Sequence, residues 1–217
     1  DIDAAIEVMR EQGIKNVILM GHSTGGLIAS VYLNTIKNDR ISALILNSPF
    51  LEWNLPFFLR NVAIPMVAEI GKYFPNILLK QPTTKPYSES LLKAFHGEWD
   101  YNTSWKFIEA PMVTSRWIRA IDIAQKQLHR KSSISIPILL MRSDYTVKGR
   151  QWNELFNRGD AILNVDDISR WGMRLGNNVS EKVFEGGLHD LTLSNIDIRN
   201  KVFASMLEWL RDINKCH

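Results

Sequence analysis

Apolar and polar positions along the chain follow two alternating patterns, one typical of strands and one typical of helices. Four short apolar or alternating runs predict strands near residues 16–20, 42–46, 136–141 and 179–184. Apolar residues recur at helical spacing in the segments between them and after Ser194, which we expect to cap the final helix. Apolar strands joined by helices predict a mostly parallel sheet with helices on both faces.

The middle of the chain has a different character. Residues 51–135 hold six of the eight prolines and four of the seven tryptophans, and they contain no convincing buried strand. Short helical patterns dominate, for example in 91–95 and 117–124. An excursion of this length between two core strands is a subdomain rather than a loop. We therefore predict a helical cap at 51–135, inserted between two parts of an α/β core at 1–50 and 136–217.

Composition narrows the possible partners and compartments. A net charge of +3 with interspersed basic and acidic residues gives no nucleic-acid footprint. No apolar run approaches the roughly 20 residues of a membrane span, and the first residues do not resemble a signal peptide. The single cysteine, Cys216, supports neither a disulfide framework nor a cysteine metal site. We expect a cytoplasmic protein without a membrane span.

The segment Gly21-His22-Ser23-Thr24-Gly25 carries the strongest chemical signal. It follows an apolar strand and precedes a helical pattern, so the serine stands at a sharp strand-to-helix turn. Side chains two positions before and two after the serine are expected to clash at such a turn, and glycine at both places removes that clash. The pattern predicts a nucleophile elbow with Ser23 as the nucleophile.

A serine nucleophile needs a base within hydrogen-bond reach and an acid that orients this base. Among the five histidines, His189 lies where the chain order serine, acid, histidine requires the base, in a loop after the last predicted strand. His22 adjoins the serine but is expected to point away and pack beside the sheet. No two histidines have metal-ligand spacing, so we predict no metal site. A serine nucleophile activated in this way needs no cofactor, and we predict none.

Two aspartates compete for the role of the acid. Asp144 directly follows a core strand, where an acid loop belongs, whereas Asp160 leads into the helix and strand that precede His189. We favour Asp160, with 145–158 as an insertion in the acid loop, and keep Asp144 as the alternative. For Asp190, beside the predicted base, a local capping role is expected.

The substrate oxygen that becomes negatively charged needs hydrogen-bond donors. The backbone N–H of Thr24, at the start of the helix after the elbow, is one candidate for this oxyanion hole. A second donor normally comes from a loop after an earlier strand. That loop does not occur among these residues, which leaves one donor unassigned.

These motifs resemble the α/β-hydrolase superfamily, in particular the group of monoacylglycerol lipases, lysophospholipases and serine aminopeptidases. The matching stretches, which occur in the order of that group, are 19–26, 44–50, 160–165 and 186–190. The resemblance implies a catalytic triad of Ser23, an aspartate and His189 beneath a cap. It also favours Asp160, since members of the group carry an aspartate before a similar Val-Leu-Asp-Val stretch.

The leading functional hypothesis is a serine hydrolase of carboxylic esters with an aliphatic or lipid-like acyl group. A peptidase or amidase with the same triad is one alternative, and a non-catalytic interaction module is another. Aromatic residues of the predicted cap are expected to line an apolar acyl pocket and to pack the cap itself; they are Trp53, Phe57, Phe58, Trp99, Trp105, Phe107 and Trp117.

Members of this lipase and aminopeptidase group begin with several strands, and an oxyanion-hole loop rich in His and Gly, that have no counterpart before Asp1 of this sequence. We therefore expect this chain to be the C-terminal portion of a longer hydrolase. We expect this portion alone to be inactive. The elbow strand would then present an exposed apolar edge, through which association with another strand is expected.

Overall fold

The four predicted strands form one parallel sheet in the computed structural model, which describes residues 1–215. Cys216 and His217 lie outside the described residues. The strands lie side by side in the order β1, β2, β5, β6. Their bounds are Val17–His22 for β1, Ile41–Asn47 for β2, Ile138–Ser143 for β5 and Val179–Phe184 for β6.

Seven α-helices and a small second sheet complete the described part of the chain. The helices are α1 (Ile2–Glu11), α2 (Thr24–Thr35), α3 (Ile64–Tyr73), α4 (Lys85–Leu91), α5 (Ser115–Arg130), α6 (Val165–Gly172) and α7 (Ile196–Lys215). A π-helical turn precedes α3 at Leu59–Ala63, and strands β3 (Leu78–Leu79) and β4 (Val113–Thr114) pair antiparallel. Among residues 1–215, no helix is long and apolar enough to cross a membrane.

Both faces of the central strands are buried, as their continuous apolar runs predict. Successive side chains of a strand point to opposite faces. Leu44 and Leu46 of β2 therefore join a core with residues of α2, α5 and α6. Ala43 and Ile45 pack on the other face against Val202, Met206 and Trp209 of α7. The predicted α/β fold, with helices on both sides of a mostly parallel sheet, is confirmed.

β1 is the outermost strand on the side of the elbow. Among residues 1–215 it pairs only with β2, so its second edge carries no strand. Ile18 and Met20 stand on the sheet face that α7 covers elsewhere, and they are 42% and 46% exposed. Association through this apolar edge stays a prediction.

The segment between β2 and β5 contains helices, as predicted, but its parts pack differently. Helix α5 contributes Ile121 and Leu128 to the main core and packs against α2. This helix, which the prediction includes in the cap, therefore forms part of the layer that covers the sheet. The remaining elements, from the π-helical turn to β4, lie between the end of β2 and α5.

Two local predictions are wrong for identifiable reasons. Residues 92–95 do not continue a helix, because α4 ends at Leu91 and the backbone of Leu92 and Lys93 pairs with that of Trp99. Ser194 does not cap α7. Its hydroxyl accepts a hydrogen bond from the Leu188 N–H, while the side chain of Asn195 accepts one from the first turn of α7.

Candidate active site

Ser23 lies at the apex of a sharp turn between β1 and α2. Its φ of 51° is in the left-handed region that a residue with a side chain rarely adopts. Gly21 makes this turn possible, because a Cβ at that position would lie 2.6 Å from the carbonyl oxygen of Gly25. The turn therefore stores backbone strain at the residue whose hydroxyl the sequence marks as the nucleophile.

The expectation for the second glycine is wrong. A Cβ built on Gly25 meets no atom within 4 Å, whereas a Cβ on Gly26 would lie 2.7 Å from the side chain of Pro49. The close approach thus involves the next position along α2 and the loop after β2. Because the sequence pattern names Gly25 while packing concerns Gly26, the motif alone misplaces the steric requirement.

Ser23, His189 and Asp160 form a continuous chain of hydrogen bonds. The Ser23 Oγ lies 3.0 Å from Nε2 of His189, and Nδ1 of His189 lies 2.9 Å from Oδ2 of Asp160. A carboxylate accepts hydrogen bonds, so Nδ1 of a neutral His189 carries the proton. The lone pair of Nε2 then faces the serine hydroxyl, which is the arrangement that proton abstraction from that hydroxyl requires.

Asp160 is fixed by its own loop. It is fully buried, and its Oδ1 accepts hydrogen bonds from the backbone N–H groups of Ile162 and Leu163, each at 2.8 Å. Its backbone pairs with that of Tyr145 and Val147. Residues 145–158 therefore form a loop whose two ends lie side by side. This loop returns Asp160 to the end of β5, beside the loop after β6 that carries His189.

Asp144 does not contact the histidine ring. It is exposed, and its Oδ1 accepts a hydrogen bond from the Gly186 N–H, at the start of the loop that carries His189. Of the two candidate acids, the structure brings only Asp160 to His189. Asp144 instead ties the end of β5 to the loop after β6.

His22 lies beside the three residues instead of pointing away from them. Its Nδ1 donates to the Asn47 carbonyl at 2.9 Å, and its ring centroid is 4.8 Å from that of His189. Burial and the neighbouring His189 lower the pKa of His22, and the negative charge of Asp190 opposes them in part. At neutral pH His22 is therefore an uncharged neighbour of His189.

Asp190 has the predicted local capping contacts and two distant side-chain partners, Asn47 and, at 3.8 Å, Nε2 of His22. Its Oδ1 accepts from the N–H and hydroxyl of Thr192, at 3.1 and 2.7 Å, and from Nδ2 of Asn47 at 2.8 Å. Burial raises the pKa of Asp190, but His22 and these hydrogen bonds outweigh burial and lower it. Since His22 is neutral near pH 7, the Thr192 and Asn47 hydrogen bonds stabilise the carboxylate there.

Tyr87 of α4 connects the predicted cap to the histidine loop. Its ring lies edge-on to the His189 ring with centroids 5.8 Å apart, and its hydroxyl accepts from the Asp190 N–H. Burial raises the pKa of Tyr87 well above its ordinary range, so the phenol stays protonated. Sequence reasoning missed the roles of Tyr87 and Asn47. Asn47 lies within the matching stretch 44–50 but looks like an ordinary strand end, and Tyr87 adjoins no motif, so only the fold brings them to the site.

Thr24 is the first residue of α2, so its N–H has no carbonyl of the same helix to bind. Among residues 1–215 this N–H makes no hydrogen bond. It lies next to the Ser23 hydroxyl at the positive end of the helix dipole. These properties suit a donor to a developing oxyanion.

The aromatic residues of the predicted cap divide into two groups. Trp53 and Trp117 pack against the main core, and Trp99 packs near Tyr87 and Leu188. Phe57, Phe58, Trp105 and Phe107 are exposed, and Trp105 is 86% exposed. Two surface cavities, of about 580 and 340 Å³, are lined by residues other than Ser23 and His189.

The fold is that of the α/β hydrolases, and comparison with known proteins specifies the family. The model of the family described as serine aminopeptidase, S33, matches residues 1–193. The chain belongs to this family.

A curated relative is the phospholipase YtpA of Bacillus subtilis (strain 168), which is 26% identical over 149 residues. That alignment covers 66% of this chain and 53% of the relative, so the chain spans about half the length of the relative it matches.

Solved structures share the fold at low sequence identity. The monoacylglycerol lipase of Paleococcus ferrophilus matches with a TM-score of 0.65 and 16% identity, covering 97% of this chain and 74% of that one. A soluble variant of the monoglyceride lipase of Saccharomyces cerevisiae matches with the same TM-score and identity, covering 98% and 66%. A carboxyl esterase of Bacillus coagulans matches with a TM-score of 0.61 and 18% identity, covering 98% and 70%.

Proposed function

We propose that the protein is a serine hydrolase that cleaves carboxylic esters with an aliphatic or lipid-like acyl group. The observation that carries the proposal is the hydrogen-bonded chain from Ser23 through His189 to Asp160. Ser23 stands at a strained turn next to an unpaired helix N-terminus, a setting that favours acyl transfer. Family membership supports the same class of chemistry.

In the proposed reaction, the Ser23 Oγ attacks the ester carbonyl carbon while Nε2 of His189 takes the hydroxyl proton. The carbonyl oxygen becomes an oxyanion and receives the N–H of Thr24. Collapse of this intermediate breaks the bond to the alcohol, which leaves with the proton from His189. A water molecule then attacks the acyl-enzyme in the same manner, releasing the carboxylic acid and restoring Ser23.

Asp160 supports both steps without giving up or taking a proton. Its Oδ2 holds the Nδ1–H of His189, which fixes the ring tautomer and stabilises the imidazolium formed in each step. The two N–H groups that bind its Oδ1 keep the carboxylate in place. No cofactor takes part in this proposed reaction.

The choice of lipid-like esters rests on the names of similar proteins and on the apolar side chains of the segment between β2 and β5. Similar proteins include a phospholipase, monoacylglycerol lipases and a carboxyl esterase. A peptidase or amidase is the second candidate, because the family is described as serine aminopeptidase.

The test compares p-nitrophenyl esters with p-nitroanilides of the same acyl groups, using the complete protein that contains these residues. We expect ester hydrolysis that Ser23→Ala abolishes and that Ser42→Ala, at an exposed serine near the start of β2, leaves unchanged. Faster turnover of the anilides would favour the amidase. Full ester hydrolysis in Ser23→Ala would reject a Ser23-dependent hydrolase.

A further inference from the structure

Asn47, the last residue of β2, contacts both loops that carry the proposed nucleophile and base. Its backbone carbonyl accepts the Ser23 N–H at 3.1 Å and Nδ1–H of His22 at 2.9 Å. Its side chain donates from Nδ2 to Asp190 at 2.8 Å and accepts the Leu191 N–H at Oδ1 at 3.2 Å. One residue thus holds the elbow with its main chain and the histidine loop with its side chain.

The location of Asn47 makes these contacts effective. Asn47 is 1% exposed, and its strand lies between β1 and β5, where it pairs with His22 on one side and Met141 on the other. Water cannot replace a lost partner at a buried site, so each unsatisfied group there is costly. The side-chain amide of Asn47 is therefore held in one orientation, because only that orientation directs Nδ2 to the Asp190 carboxylate and Oδ1 to the Leu191 N–H.

Because Asp190 directly follows His189 in the chain, contacts that hold Asp190 in place also restrict the backbone of His189. The Asp190 carboxylate is held by Asn47 and Thr192, and its N–H by the Tyr87 hydroxyl. These contacts leave the backbone at position 189 little freedom. The contacts through Asn47 thus join the Ser23 turn to the His189 loop in addition to the direct 3.0 Å hydrogen bond between Ser23 Oγ and His189 Nε2.

We propose that Asn47 is a positioning residue that fixes His189 relative to Ser23 by joining the elbow to Asp190. This role rests on the proposed hydrolase function. It requires an amide at position 47, because the side chain must donate to a carboxylate and accept an N–H at once. A carboxylate at position 47 would keep the acceptor, lose the donor and face the Asp190 carboxylate across a part-buried 2.8 Å gap.

The charge conflict suggests a rescue experiment. Replacing Asp190 by asparagine in the Asn47→Asp background removes one of the two facing carboxylates, and it again pairs an amide with a carboxylate.

A matched control is Asn34→Asp on α2. Asn34 also bridges two segments, donating to the Lys131 carbonyl and accepting the Ser133 N–H, and it lies at the end of α2 remote from the elbow.

The experiment measures kcat, KM and the rate of fluorophosphonate labelling of Ser23 in the complete protein. We expect Asn47→Asp to lower kcat and the labelling rate by about 10²-fold, the effect of misplacing a reacting group by about 1 Å, with KM unchanged. In the double variant Asn47→Asp/Asp190→Asn, kcat and the labelling rate should be at least about tenfold higher than in Asn47→Asp, because a better-placed reacting group regains part of the loss. Asn34→Asp should keep the wild-type kcat.

Wild-type kcat in Asn47→Asp, or a folded double variant no faster than Asn47→Asp, would overturn the proposal. If Asn47→Asp does not fold, Asn47→Leu decides, since it removes both side-chain hydrogen bonds without adding charge. A lower kcat at unchanged KM in Asn47→Leu then supports the role, and wild-type kcat rejects it. A wild-type protein that neither hydrolyses esters nor labels at Ser23 would reject the hydrolase function and this role together.

Discussion

Asp160 and His189 lie 29 positions apart in the chain, yet Oδ2 of the aspartate is 2.9 Å from Nδ1 of the histidine. Both side chains are almost fully buried, so this hydrogen bond forms in a setting from which water is excluded. A carboxylate in this position selects the imidazole tautomer whose Nε2 lone pair faces Ser23.

Asp160→Asn should lower kcat by about 10³–10⁴-fold, the loss seen when an orienting carboxylate of a serine–histidine pair becomes an amide. The amide can donate to Nδ1 and so stabilise the wrong tautomer. Asp144→Asn is the matched control, because Asp144 binds the same loop at Gly186 but does not contact the histidine ring. Steady-state kinetics on one ester decide. A larger loss in Asp144→Asn would assign the acid role to that residue.

The two glycines of the elbow motif should respond differently to alanine. Gly21→Ala places a methyl group 2.6 Å from the Gly25 carbonyl oxygen and should reduce the free energy of unfolding by about 1–3 kcal/mol, the usual cost of overpacking. Gly25→Ala meets open space within α2 and should stabilise the helix by up to about 1 kcal/mol. Urea unfolding of both variants measures the difference. Equal losses in the two variants would show that Gly21 has no special steric role.

If the acyl group binds an apolar surface, kcat/KM should rise with the length of the acyl chain in a series of simple esters. Each buried CH₂ contributes about 0.8 kcal/mol, so each added methylene should raise kcat/KM up to about fourfold until the surface is filled. A series of p-nitrophenyl esters from acetate to dodecanoate provides the measurement. Values that are flat or fall from acetate onward would indicate a small or polar acyl group.

His22 should make the protein less stable as the pH falls. Because its pKa in the folded state is lowered, the unfolded chain binds a proton first as the pH falls through about 6.5. The free energy of unfolding therefore declines from there until the folded state also binds the proton. His22→Asn, which keeps a donor for the Asn47 carbonyl, should reduce this decline between pH 7 and 5.

His129 provides the comparison for that measurement. Burial also lowers the pKa of His129, and its ring donates a hydrogen bond to the Leu51 carbonyl. His129 lies far along the chain from the elbow. His129→Asn should likewise reduce the decline, and the two effects should add, since the residues share no partner. An unchanged pH dependence in His22→Asn would show that His22 has the same pKa in the folded and unfolded states.

The sequence predicts the sheet well because its strands are apolar over short, bounded runs. The four runs and the α2 pattern after Ser23 place the elbow directly, since a strand and a helix joined within three residues leave few conformations. The position of His189 follows from chain order. The local pattern misleads at Ser194 and at 92–95. There, hydrogen bonds with the backbone of Leu188 and of Trp99, respectively, decide the conformation.

The surroundings of the site depend on contacts between distant segments, which no local pattern encodes. Asn47 looks like an ordinary strand end, and Tyr87 like one aromatic residue among many in the segment between β2 and β5. Their partners, Asp190 and its neighbours, lie more than 100 positions further along. Only the assembled sheet brings these residues to the histidine loop.

Labelling by a fluorophosphonate is the sharpest test of Ser23 as a nucleophile activated by His189, because the probe reacts with a serine only when a base activates its hydroxyl. The complete protein is treated with the probe, digested, and the modified residue is identified by mass spectrometry. We expect a single rapidly modified serine, Ser23, and loss of labelling in His189→Gln with the fold retained. Rapid modification of another serine, or undiminished labelling of Ser23 in His189→Gln, would contradict this expectation.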